Sequence, residues 1–60
     1  MRRMAFYTWL KLVDTQIQRQ VGLSRDDLPD WNYADAYAAG YSATKAAVMA
    51  IRAARREMGL

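Results

Sequence analysis

From Met4 to Gln20 the apolar positions recur with a helical period. Phe6, Trp9, Leu10, Val13, Ile17 and Val21 lie three or four residues apart, within about one third of a helix circumference. Lys11, Thr15, Gln18 and Arg19 take the other directions. The pattern predicts one amphipathic helix, with Gly22 where a left-handed cap residue ends it. Leu12 falls off the stripe. A lone surface leucine is ordinary, and an exposed one is also a candidate contact for a partner.

The last third repeats the period. Ser42 reads as a helix cap, Ala43 to Met58 as the helix and Gly59 as the residue past its end. Abundant alanine favours helix at little side-chain entropy cost. Thr44, Ala47, Val48, Ile51, Ala54 and Met58 are expected to make one face. Lys45, Arg52 and Arg56 form a second stripe about 100° away, with Met49 beside it. The late arginines also suit the negative end of the helix dipole.

Leu23 to Tyr41 joins the two. Ser24-Arg25-Asp26-Asp27 has capping-box spacing with Asp in place of Glu or Gln, so one helical turn is expected over Arg25 to Leu28. Pro29 prevents its extension, because it lacks an amide hydrogen and pushes Leu28 out of helical geometry. Asp30 or Asn32 then caps a short helix from Tyr33 to Ala39, and Gly40 stops it. The predicted fold is all-α: a single helical domain over residues 1–60, with two long helices bridged by a short helix and an extra turn.

Composition narrows what such a domain can do. Sixty residues with no cysteine and no histidine have neither disulfides nor the usual zinc ligands as staples. The fold must rest on packed helices, or on association with a copy or a partner. The net charge is +3. Arg2, Arg3, Arg52, Arg55 and Arg56 supply most of the positive charge, while four of the six acids fall between Asp26 and Asp35. No apolar run reaches the roughly 20 residues of a membrane span. Two arginines before an apolar run resemble a signal peptide, but Thr8 and Lys11 break that run and no cleavage site follows. Cysteine-free composition fits the cytoplasm.

Three constellations invite a functional reading. Tyr33, Tyr37 and Tyr41 are spaced by four, with Trp31 just before them; they could stack bases or a proline-rich peptide. A chain with so few large aliphatic residues needs those rings in its core, so the structural reading is preferred. Asp26, Asp27, Asp30 and Asp35 lack the alternating ligands, central glycine and final glutamate of a calcium loop, and read as caps and surface charge. With no cysteine or histidine to serve as nucleophile or base and no phosphate-cradling loop, no enzyme and no cofactor are expected. Tyr33 to Arg52 superficially follows a helix-turn-helix. Its base-reading positions would be Ser42, Ala43, Thr44, Ala47 and Val48, which carry almost no hydrogen-bonding side chains. The arginines come late in the helix, where they could touch phosphate only.

Trp9-Leu10, Val13-Asp14, Ile17, Gly22-Leu23-Ser24, Asp27-Leu28-Pro29-Asp30, Tyr33, Asp35, Tyr37 and Gly40 form a longer pattern across about residues 6 to 54. It is similar to short proteins encoded by bacteriophages and bacterial genomes. The resemblance implies a phage or prophage origin, hence the cytoplasm of a bacterial host, and carries no catalytic residues. We therefore expect a small non-enzymatic accessory or host-modulating factor that binds another protein or self-associates. Small helix-turn-helix-like DNA binding is the alternative, and no membrane is involved. The partner-binding candidates are Lys45, Met49, Arg52, Arg56 and Leu12.

Overall fold

The computed structural model of the chain describes residues 4–59, so Arg2 and Arg3 lie outside it. Helix α1 spans Phe6–Val21, a 3-10 turn spans Arg25–Asp27, α2 spans Tyr33–Ala38 and α3 spans Ala43–Met58. No strand occurs among the described residues. Helix α1 begins two residues later than the sequence pattern suggests. Ala5 has extended backbone with no side-chain cap, and the Met4 carbonyl accepts a hydrogen bond from the Tyr37 hydroxyl.

Local chemistry sets the other boundaries. Gly22 ends α1 at φ 72°, its N–H bonded to the Gln18 carbonyl. The Asp27 carboxylate accepts from the Ser24 N–H and hydroxyl at 3.0 and 3.1 Å, which ties off the single turn. Asn32, not Asp30, caps α2 by accepting from the Asp35 N–H. At the end of α2 the Gly40 N–H reaches the Tyr37 carbonyl and the Tyr41 N–H reaches that of Ala36. This is a Schellman closure, which requires the positive φ of 85° that Gly40 supplies. Ser42 accepts from the Lys45 N–H to open α3.

The two long helices run in the same direction. Near their starts, the Trp9 indole reaches Tyr41; near their ends, Val21 and Leu23 share a small apolar hollow with Ile51, Ala54 and Met58. A 16-residue helix is about 24 Å long, so the segment from Leu23 to Tyr41 must travel back along that length. It does so against α1. The Arg25 N–H bonds the Asp14 carboxylate at 2.6 Å, and Tyr37 packs edge-on against Phe6 and Trp9 at 5.1 and 5.4 Å between ring centroids.

Trp9, Val13 and Ile17 of α1 meet Ala46, Ala47 and Ile51 of α3, with Ala36 of α2 closing the cluster. Burying an aliphatic side chain such as Ile17 contributes about 1.5–3 kcal/mol. Tyr33, Tyr37 and Tyr41 are half-buried against this core, so all three rings carry structure. Helix α3 buries Ala47, Ile51 and Ala54 of the face the sequence pattern selects, but not the other three residues of it. Its buried residues are Ala46, Ala47, Ala50, Ile51 and Ala54, while Thr44 is exposed, Val48 is half-buried and Met58 is 49% exposed. Alanine lets the two backbones approach closely, so α3 turns its small residues inward and its larger ones partly outward.

Candidate surface around Trp31 and Met49

Residues 29–32 take no regular structure, and this stretch lays Trp31 alongside α3. There it stands beside Met49, Arg52, Ala53 and Arg56 around an open hollow of about 250 Å³. A neighbouring hollow of about 280 Å³ also has Trp31 and Met49 in its wall, with Asp35, Ala36, Ala39 and Tyr41 beyond them. Met49 is half-buried between the two. A third hollow, of about 320 Å³, holds Arg25, Asp26, Pro29, Asp30 and Tyr33 against another side of Trp31. Trp31 is common to all three.

Of the expected contact residues, the fold gathers four. Met49, Arg52 and Arg56 share one hollow, and both arginines are exposed. The Lys45 ammonium lies 4.4 Å from the centre of the Tyr41 ring, and Tyr41 lines the next hollow. Leu12 is 40% exposed and lines none of these hollows, so it stands apart. Trp31 is half-buried and packs against the core cluster, as the structural reading of the rings expected, and its remaining surface lines all three hollows.

No family model matches the chain, and no solved structure matches it. The "Gene 87 protein" of Mycobacterium phage D29 is 40% identical over 48 residues, which cover 80% of this chain and 89% of that protein. The chain belongs to the Gene 87 family. The "Gene 87 protein" of Mycobacterium phage L5 is also 40% identical over 48 residues, covering 91% of its length. This is therefore a phage-type protein with an all-α fold.

In this Gene 87 family chain the helix-turn-helix reading meets a geometric obstacle. Ala47 is fully buried against the core, while Ala43 and Val48 are half-buried. Of the five positions expected to read bases, only Ser42 and Thr44 are exposed. The acids do not converge either, since no group of three metal-ligating side chains occurs among the described residues. Nor is any described helix long and apolar enough to cross a membrane.

Tyr33 lines the third hollow beside Trp31. Its ring stands edge-on to Trp31 at 5.1 Å, with the Arg25 guanidinium 5.9 Å from its centre. The hydroxyl is shielded from solvent and has no hydrogen-bond partner among the described residues. Burial pushes the phenol above its ordinary pKa; Arg25 opposes this, and Asp14 and Asp30 add to it.

Proposed function

We propose that this chain is a small non-enzymatic accessory or host-modulating protein of phage type, acting in the bacterial cytoplasm by binding protein through the Trp31–Met49 surface. The observation that supports it is the set of residues gathered there. Tryptophan, methionine and arginine are the types enriched at interface cores, and here Trp31, Met49, Arg52 and Arg56 line one open hollow. Methionine adapts to an irregular partner, the indole supplies a large rigid contact, and the arginines suit a carboxylate-bearing rim.

Affinity capture from bacterial lysate with surface variants tests this. Met49→Asp should lose the captured protein while keeping the helical circular-dichroism signal, and Leu12→Asp should retain it. Undiminished capture by Met49→Asp would sink the reading. A DNA titration at two salt concentrations examines the alternative. Steep salt dependence that is lost with Arg52→Ala and Arg56→Ala together would make this a phosphate-binding face instead.

A further inference from the structure

Trp31 separates two surfaces of opposite charge. Arg52 and Arg56 line the hollow on one side. Asp26 and Asp30 line the hollow on another, where Arg25 is turned towards the Tyr33 ring. All four of those acidic and basic side chains on α3 and the return segment are exposed. Trp31 is the one residue the two hollows share. A patch with a positive half and a negative half about one aromatic residue is complementary to itself after a half-turn, which is the condition for an isologous dimer interface.

From this we infer that the Trp31 surface is occupied by a second copy of the chain, in a two-fold dimer whose axis passes beside Trp31. Arg52 and Arg56 of each copy face Asp26 and Asp30 of the other, and Trp31 and Met49 pack across the axis. This rests on the reading that the face binds protein, and it names the partner. Other occupants fit the charge pattern less well. A nucleic acid or a uniformly acidic protein laid across Trp31 would satisfy the arginines but bring like charge against Asp26 and Asp30.

The size of the chain favours the same conclusion. Among the described residues the largest fully buried side chains are Val13 and Ile17, and there is no cysteine or histidine to staple the fold. Small domains of this kind gain burial by oligomerising. A standard interface takes about 800 Å² from each partner, roughly a fifth of the 4389 Å² surface.

Two charge-reversed variants and their mixture provide the test, read by sedimentation equilibrium with circular dichroism as the folding check. Wild type should show a doubling of the 6.9 kDa chain mass at submillimolar concentration. Arg52→Glu with Arg56→Glu places acid against acid in its own dimer, and Asp26→Lys with Asp30→Lys places base against base. Each should be monomeric. An equimolar mixture should regain the doubled mass, because both contacts between the two variants are then of opposite sign.

A monomeric wild type overturns the inference, as does a dimer that survives either reversal. For a readout that needs no variant, the Trp31 indole and Met49 methyl resonances should shift on dilution of wild type, and unchanged resonances across a dimer–monomer transition would place the interface elsewhere. A wild type that stays monomeric yet captures protein in a Met49-dependent way would leave the proposed function standing and remove only the self-association.

Discussion

The Trp9 indole N–H donates to the Tyr41 carbonyl at 3.0 Å, across 32 residues of sequence. This bond joins the first helix to the loop that opens the last one, and it fixes where the returning chain must arrive. The same indole is buried and stacked with Phe6 at 6.0 Å. Trp9→Ala removes both the ring and the bond and should cost about 3–5 kcal/mol, against a total of roughly 3–9 kcal/mol for a chain of this length. Trp9→Phe keeps an aromatic ring and strands the carbonyl, so about 1–3 kcal/mol is expected. Urea unfolding followed by circular dichroism measures both. A Trp9→Phe protein as stable as the parent would mean that the bond contributes nothing.

Gly40 gives a cleaner backbone test. A Cβ built there would meet nothing within 4 Å, yet φ is +85°. Substitution therefore strains the backbone without a clash. Gly40→Ala should cost about 1–2 kcal/mol, Gly40→Val more because of its branched Cβ, and Gly40→Asn least. At about 4–8 °C per kcal/mol for a domain near this size, thermal melts should resolve the order. Three variants melting with the parent would be incompatible with the Schellman closure.

Helix ends were legible in the sequence because caps are local chemistry. Gly22, Asn32, Gly40, Ser42 and Gly59 each act on backbone groups within a few residues. The inward face of α3 was not legible to the same degree. In a helix rich in alanine, the side that packs is chosen by how closely α1 can approach, and a hydrophobic period does not encode that distance. The packing of Trp31 against the core was legible, but its surface neighbours were hidden for a related reason. Met49, Arg52 and Arg56 line one hollow with Trp31, a tertiary juxtaposition of residues 18 to 25 positions away in the chain.

Tyr33 carries a prediction in pH. Its phenol is raised above the ordinary value by burial, so the native state holds this proton more tightly than the unfolded chain does. Its contribution to stability is intact below the unfolded pKa of about 10 and is lost as pH rises from there through the folded value. Tyr33→Phe has no proton to lose. It should match or exceed the parent near neutrality, by about 1 kcal/mol once the unpartnered hydroxyl is removed, and its advantage should widen above pH about 10. Denaturant titrations of both proteins from pH 8 to 11 would expose the difference, and a constant gap over that range would refute it.

The orientation of α3 can be checked by two substitutions three residues apart. Ala47 is fully buried between the long helices, whereas Thr44 is exposed, although simple periodicity places both on one face. The backbones are close because Ala46, Ala47, Ala50 and Ala54 are all small and buried. Ala47→Leu therefore has no space to fill and must push α1 away or force a strained rotamer, at about 1–3 kcal/mol. Thr44→Leu projects from the surface and should stay within about 0.5 kcal/mol of the parent. Unfolding midpoints for the pair decide between the two faces. If Thr44→Leu were the damaging change and Ala47→Leu the neutral one, α3 would be rotated from its place here, and Met49 and Arg52 would no longer stand beside Trp31.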